Sequence, residues 1–384
     1  MINPPLRIAR VTLTDFRNYA GLRLDCQAGL VALTGPNGAG KTNLLEAISL
    51  LAPGRGLRGA GLEELVRQGS SAWAIAADAV TPHGHISLGT GWSAASEGAD
   101  ATASRLVVID GHMQKSSGSL GEHMRILWLT PAMDRLFAGP PSDRRRFLDR
   151  LVAAFDPEHG SLVTVFEKVM RERNLLLEEK RPDPAWIASL EAHMAEAGVA
   201  IAAARLLAVE ALRTHIAEAR AASAFPWGEI AAEGEIEALL ERMPAVRAED
   251  EYRRLLSDSR GLDRAAGRTL KGPHRSDLSV RHGPKDMPAD LCSTGEQKAL
   301  LIGLILAQAR AVKAQAGVAP LLLLDEVAAH LDRVRRQALF EALAALGAQA
   351  WMTGTDAGLF VGLQHGAALF HVEAAQITEA AETK

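Results

Sequence analysis

The chain has 384 residues, which is enough for two units or for one large domain that carries a sizeable insertion. With 48% hydrophobic and 23% charged residues, the composition excludes a disordered or fibrous protein, and the net charge of -4 means that any nucleic-acid binding must come from a local basic patch. The two cysteines lack metal-ligand spacing and no run approaches about 18 apolar residues, so we expect a cytoplasmic protein that enters no membrane.

The chain begins with strands that lead into a glycine-rich loop. Residues 6–34 alternate apolar and polar positions and end in the apolar strand 30–33, and residues 42–51 carry apolar side chains at helical spacing. The run between them fits G-x-x-x-x-G-K-[ST], in the strand-loop-helix context that a phosphate-binding P-loop requires. This P-loop consists of Gly35, Pro36, Asn37, Gly38, Ala39, Gly40, Lys41 and Thr42.

The P-loop predicts ATP and Mg²⁺ as cofactors. Its glycines allow successive backbone N–H groups to surround phosphates, and the helix N-terminus adds a favourable dipole. Lys41 would neutralise the β- and γ-phosphates, which makes it a candidate catalytic residue, and Thr42 would offer its hydroxyl to the metal. The alternative is a chance glycine-rich turn, and the strand-loop-helix context argues against it.

The middle of the chain changes from strands to helices. Short strand candidates occupy residues 73–130, and helical patterns then run from about 140 to about 261. The longest, 186–221, has small or apolar residues at alternating spacings of three and four. It is either half of an antiparallel helix arm or part of a helical subdomain whose alanine-rich stripe is core. The predicted domains are therefore 1–138, 139–265 and 266–384, with the helical one inserted between the other two.

Strands return after residue 270 and lead to two further motifs. The segment 293–298, here named the signature segment, precedes a helical run, and its Ser293 and Glu296 would also fit an ordinary capping box. Four leucines at 321–324 then form a strand suited to burial on both faces. Such a strand ending in carboxylates is by itself weak evidence for a site, but the P-loop makes it informative.

The two carboxylates after the leucines complete the predicted site, because ligands of such sheets bind beyond the carboxyl ends of the strands. Asp325 would hold Mg²⁺, and Glu326 would orient or deprotonate the attacking water. Glu326 is therefore the second candidate catalytic residue.

The order and spacing of these segments resemble the ABC-type ATPases. The resemblance implies that Ser293 and Gly295 contact the γ-phosphate held by a second copy of the chain. It also implies that Asp332, in the run 330–332, crosses the interface between the copies. Asp332 equally fits a helix N-cap, and both roles stay open.

Four further segments are similar to the bacterial RecF family, and the resemblance runs from residue 6 to about 356. It implies an α/β fold, in which an ABC-type ATPase head of the SMC kind, with a P-loop in a mixed sheet, carries an inserted α-helical arm domain. It also implies an ATP-dependent homodimer that closes on double- and single-stranded DNA near gap junctions, releases it after hydrolysis, and assists RecA loading with RecO and RecR. The segments are 13–19, 42–48, 144–149 and 272–278.

Three positions depart from the patterns of these families. Residues 353–356 contain no histidine, unlike transporter ATPases, and a threonine there is a candidate for contact with the γ-phosphate. Gln114 is a candidate switch-loop glutamine by its position alone. The segment 129–137, here named the switch segment, includes Asp134 and resembles the switch region of the family, although its Pro-Glu-Asp run is replaced by Pro-Ala-Met.

Basic side chains are candidates for contacts with DNA phosphates, which give affinity without sequence reading. For each one the alternative is a solvated face or an intrahelical ion pair, so the prediction concerns the patch and not any single residue. The candidates are Arg55, Arg58, Arg144, Arg145 and Arg146, together with Arg171, Arg173, Lys180 and Arg181 on the first helix of the insertion.

Two other functions share part of these motifs. The ATPase subunit of an ABC transporter would have the P-loop and the signature segment, but the long helical insertion and the absence of histidine at 353–356 argue against it. A nuclease with an SMC-like head would need an appended carboxylate-rich metal domain, for which we expect no room after the last ATPase strand.

Overall fold

The computed structural model describes residues 5–94, 104–181, 183–221, 223–329, 331–363 and 366–379. The chain forms two compact units. The first unit extends to Asp134 and resumes at Ser293, with the segment 219–226 added, and the second unit takes residues 135–218 and 227–292. The predicted boundary at 265 is too early, because the strand Asp277–His282 pairs with Gly228–Glu233 inside the second unit.

A mainly parallel sheet in the first unit contains the strand that leads into the P-loop. Its six strands are β3 (Leu30–Thr34), β8 (Ile126–Leu129), β12 (Leu321–Leu324), β13 (Ala350–Thr353), β14 (Ala368–Glu373) and β15 (Gln376–Glu379). Their order is β15-β14-β3-β13-β12-β8, and only β15 runs antiparallel to its neighbour. Every residue of β3, β12 and β13 is buried, which explains their continuous apolar sequences and confirms the predicted leucine strand.

A second sheet of the first unit is antiparallel. Its strands are β1 (Arg7–Phe16), β2 (Tyr19–Asp25), β4 (Ala72–Thr81), β5 (Gly84–Ser93), β6 (Leu106–Ile109) and β7 (His112–Met113), in the order β2-β1-β4-β5-β6-β7. Buried positions alternate with more exposed ones along β4, as expected when one face of a sheet packs on the core. The strands predicted within 6–34 and 73–130 are therefore confirmed.

The α-helices in the described part of the first unit are α1 (Lys41–Ser49), α7 (Thr294–Ala316) and α8 (Arg333–Leu346). By length and composition α7 could cross a membrane, with a mean hydropathy of 1.3, but 67% of that apolar window is buried inside the protein. Burial in the core therefore accounts for its apolar sequence. The Lys313 ammonium, in the last turn of α7, donates to the carbonyl of Leu346 at 2.6 Å and so joins the C-terminal ends of α7 and α8.

The second unit combines helices with a small antiparallel sheet. Its helices are α2 (Pro141–Ala153), α3 (His159–Glu178), α4 (Pro184–Ala219), α5 (Glu235–Leu240) and α6 (Ala245–Ala266), and its strands are β9 (Gly228–Glu233), β10 (Asp277–His282) and β11 (Met287–Pro288). The sequence did not predict β9, because its alanines and glutamates are typical of helices. The strand forms because all six of its residues pair with β10.

The stripe of small residues on α4 lies in the core of the second unit. Met194, Ala197 and Ile201 pack in one cluster with Phe166 of α3 and Tyr252 of α6. The structure therefore favours the subdomain interpretation over an arm made of two helices alone, since side chains of both α3 and α6 cover the stripe.

A buried ion network crosses the same unit. The Arg173 guanidinium lies 2.8 Å from the Asp263 carboxylate and 3.1 Å from that of Glu191, and all three side chains are at most 1% exposed. This burial removes Arg173 from the candidates for DNA contact, whereas Arg171 on the same helix is exposed. The interior needs such pairing because an unpaired buried charge is strongly destabilising.

Candidate nucleotide-binding site

The P-loop joins β3 to α1, and its shape depends on glycine. Gly35 and Gly40 have φ angles of 139° and 119°, in a region that other residues rarely adopt. A Cβ atom on Gly35 would collide with the carbonyl of Val372, and one on Gly40 would lie 2.7 Å from the hydroxyl of Tyr19. The glycines thus allow both the turn and the close approach of neighbouring strands.

Side chains at the turn between β1 and β2 donate hydrogen bonds to backbone carbonyls of the P-loop. The Asn18 amide donates to the carbonyl of Ala39 at 3.2 Å, and the Tyr19 hydroxyl donates to that of Gly40 at 3.1 Å. Next to them, Arg17 makes two hydrogen bonds of 2.9 Å to the buried carboxylate of Glu46 in α1. The segment 13–19, which resembles the family in sequence, thus has a physical role in holding the P-loop.

Lys41 lies against the P-loop itself. It is 5% exposed, and its ammonium donates to the carbonyls of Gly35 (2.6 Å) and Pro36 (2.8 Å). Burial lowers the pKa of Lys41, and the carboxylates of Glu326 and Asp325 act in the opposite direction. The structure therefore brings the lysine and the two predicted carboxylates into one electrostatic environment.

Asp325, which follows the leucine strand, contacts the P-loop. The Thr42 hydroxyl donates to its carboxylate, with distances of 2.9 and 3.1 Å to the two oxygens. Among the described residues no group of three or more His, Cys, Asp or Glu side chains is placed to hold a metal. One hydroxyl and one carboxylate still fit Mg²⁺, because this ion is usually held by one or two carboxylates with waters and substrate phosphates.

Thr353, at the end of β13, belongs to the site but has a different role from the predicted one. Its hydroxyl donates to Asp325 at 2.7 Å and accepts from the backbone N–H of Glu326 at 2.8 Å. It is fully buried, so its hydrogen bonds are used to hold the two acidic residues, and the predicted γ-phosphate contact does not fit Thr353. Thr355 is exposed.

Replacing Thr353 with valine is expected to lower the free energy of unfolding by about 1–3 kcal/mol, because a buried N–H and a carboxylate oxygen each lose a partner. Urea titrations of the full chain measure this loss. Thr353→Ser keeps the hydroxyl and should retain most of the stability. A valine variant as stable as the serine variant would contradict the role assigned to the hydroxyl.

The signature segment begins α7, with Ser293 as N-cap. The Glu296 carboxylate accepts from the Ser293 N–H at 3.0 Å, and the reciprocal bond is also made, so the capping box is present. Gly295 is not required by packing, since a Cβ there would meet no described atom within 4 Å. Glycine costs about 1 kcal/mol relative to alanine inside a helix, so its presence at an open surface is consistent with close approach by another molecule.

Asp332 is the N-cap of α8 and accepts from the N–H of Arg335 at 2.8 Å. It is exposed, as Ser293 is, so capping does not prevent a further contact by either residue. His330, in the same run, lies outside the described residues. The capping alternatives are thus both confirmed, and the roles implied by resemblance remain predictions.

The two switch candidates lie in different places. Gln114 follows β7, an edge strand of the antiparallel sheet, and its side-chain amide donates to the carbonyl of His112. Asp134 follows β8, which pairs with β12, and its carboxylate lies 3.2 Å from the ammonium of Lys298 in α7. The sequence did not predict this contact of Lys298, because its partner is distant in the chain.

The arginines proposed for DNA contact have unlike surroundings. The Arg144 guanidinium donates to both oxygens of Asp277 at 2.8 and 2.7 Å and is therefore engaged inside the second unit. Arg145 donates to the carbonyl of Ser276, and Arg58 lies 2.9 Å from the buried carboxylate of Glu46. Arg55 is exposed, and the side chain of Arg146 is 81% exposed with a partner only three residues away.

Comparisons with known proteins agree with this geometry. The family model described as the RecF/RecN/SMC N terminal domain matches residues 7–378. The "DNA replication and repair protein RecF" of Mesorhizobium japonicum is 51% identical over 367 residues, which is 95% of this chain and 96% of the relative. Two solved structures share the fold at 23% identity: the recombination mediator protein RecF-ATPrS in the RecFOR pathway, with a TM-score of 0.86 and 99% of both chains covered, and RecF-ATP, with a TM-score of 0.85 and 98% of both chains covered.

Proposed function

Because the chain belongs to the RecF family, we propose that it is an ATP-dependent DNA-binding protein of DNA replication and repair. ATP and Mg²⁺ bind at the P-loop, and two copies of the chain then close around DNA near single-strand gaps. Hydrolysis of ATP releases the DNA. The observation that carries the proposal is the contact of Thr42 with Asp325 at the carboxyl ends of parallel strands, where such sheets bind ligands. The near full-length match to relatives named RecF disfavours a transporter subunit.

In this proposal the P-loop and the acidic pair divide the work of hydrolysis. The Lys41 ammonium would leave two neutral carbonyls for charged phosphate oxygens, which form stronger hydrogen bonds. Thr42 and Asp325 would hold Mg²⁺, whose chemistry is to neutralise charge on the transferred phosphoryl group. Glu326, next to Asp325, would orient or deprotonate the attacking water.

The proposal includes an ATP-dependent homodimer. It is supported by the exposure of Ser293 and Asp332 at two helix N-termini, where backbone N–H groups and the dipole favour a phosphate. The open surface at Gly295 gives a nucleotide held by the second copy room to approach.

DNA contact is assigned to exposed basic side chains, which include Arg55 in the first unit and Arg146 and Arg171 in the second. Their charges would neutralise phosphates without reading sequence. We extend the proposal to a cytoplasmic location and to RecO, RecR and RecA-type proteins as partners. The support for these partners is family membership and the description of one related structure as a recombination mediator in the RecFOR pathway.

Binding of a fluorescent gapped duplex, measured by anisotropy without nucleotide, with ADP and with ATP, tests the proposal. ATP is expected to raise the DNA affinity of the unsubstituted chain by about 10-fold or more. Lys41→Arg should still bind a fluorescent ATP analogue but lose hydrolysis, because the planar guanidinium does not reproduce the geometry of the ammonium. DNA affinity that is the same in all three nucleotide conditions would reject ATP-dependent DNA binding.

A further inference from the structure

Lys298 links three segments of the candidate site. It lies near the start of α7 and is 4% exposed. Its ammonium is 3.2 Å from the Asp134 carboxylate in the switch segment and 3.4 Å from the backbone carbonyl of Glu326. A lysine is almost never this buried unless it is paired, so these contacts define its position.

The residue that Lys298 touches has a strained backbone. Glu326 has a φ of 50°, in the left-handed region, which is unfavourable for a non-glycine residue. Its N–H is held by the Thr353 hydroxyl, and its carbonyl accepts from Lys298 and from the N–H of Ala329 at 3.2 Å. Such strain persists only where the surroundings over-determine it. Lys298 is thus one of the groups that keep Glu326 in this conformation.

The pair with Asp134 is not arranged for stability alone. One carboxylate oxygen of Asp134 contacts Lys298, whereas the other is buried and has no hydrogen-bond partner among the residues described. Leaving a buried acceptor unsatisfied is costly. A cost of this kind at a residue beside the strand of Asp325 indicates a functional constraint on its position.

We propose that Lys298 is a positioning residue, which couples the start of α7 to the backbone of Glu326 so that hydrolysis is efficient only when α7 is in place. The inference rests on the proposed ATPase function. Ser293, at the start of the same helix, is proposed to contact the nucleotide of a second copy. Through Lys298, that contact sets the conformation of the glutamate in its own copy.

Steady-state ATP turnover of Lys298→Met, Lys298→Arg and Asp134→Asn tests the inference. Loss of the ammonium is expected to lower kcat by about 10- to 100-fold, the scale of a small misplacement of a catalytic group. KM and nucleotide affinity should stay within about 2-fold, because ground-state binding is untouched. Lys298→Arg should recover part of kcat. Asp134→Asn should lower kcat by itself, and the double variant Lys298→Met/Asp134→Asn should have the same kcat as Lys298→Met alone.

The matched control is Lys271→Met, which also removes an ammonium, here one that donates to the Glu235 carboxylate at 3.0 Å within the second unit. Its kcat should remain that of the unsubstituted chain. Unchanged kcat in Lys298→Met, or a loss that Lys298→Arg does not reduce, would overturn the inference. If Lys298→Met does not fold, unchanged kcat in Asp134→Asn would overturn it in the same way. Absence of hydrolysis by the unsubstituted chain would overturn the proposed function, and this inference with it.

Discussion

Exchanging Glu326 for glutamine is expected to abolish ATP hydrolysis and to trap an ATP-bound dimer. Glutamine has the size of glutamate and can occupy the same position, but it cannot accept a proton from the attacking water. Loss of such a base lowers turnover by about 10²–10⁴-fold. Phosphate release measures turnover, and size exclusion with light scattering, run without nucleotide, with ADP and with ATP, measures the oligomeric state.

A dimer only with ATP is the result expected for Glu326→Gln. The control is Glu341→Gln on the exposed side of α8, which removes one carboxylate from the same unit and should hydrolyse ATP like the unsubstituted chain. A monomer under all three nucleotide conditions would refute the ATP-dependent clamp. Turnover at the rate of the control would refute the assignment of Glu326 as the group that activates water.

The second large effect is expected from Arg173→Met in the buried ion network. Methionine fills similar space without charge, so the carboxylates of Glu191 and Asp263, at most 1% exposed, lose their shared cation. Breaking a buried ion pair by removing one partner costs about 3–5 kcal/mol. Urea unfolding of the full chain, followed by circular dichroism, should show the second unit unfolding at lower urea concentration.

Arg171→Met serves as the control for this loss. It makes the same exchange two residues earlier on α3, at an exposed position, and should change the free energy of unfolding by less than about 0.5 kcal/mol. Equal stability of the two variants would show that the network contributes nothing. A variant of Arg173 that folds normally but binds DNA weakly would instead restore it to the candidates for DNA contact.

The P-loop and the leucine strand could be predicted because each is encoded in a short run of residues. A glycine that must adopt positive φ is visible in the sequence, as is a strand buried on both faces. Thr353 and Lys298 were not assigned their contacts, because their partners, Asp325 and Asp134, are distant in the chain and only the fold brings them together. Neither residue type is unusual where it stands.

The insertion was harder to predict for a related reason. Arginines among charged neighbours on a helix usually belong to a solvated face, so no local pattern indicates that Arg173 is buried while Arg171 is exposed. Strand β9 has a composition typical of helices, and its pairing with β10 prevails over that local preference. Contacts between residues distant in the chain determine both the burial of Arg173 and the formation of β9, and local sequence patterns do not reveal such contacts.

The hydrogen bond that connects the C-terminal ends of α7 and α8 has a consequence for how dimer formation depends on ATP concentration. Lys313 fastens the two helices at their C-terminal ends, and their opposite ends begin at Ser293 and Asp332. In the proposed dimer, this shared support would bring both caps to the second copy together. Association would then be all-or-none, and dimer formation should rise with ATP concentration more steeply than simple saturation.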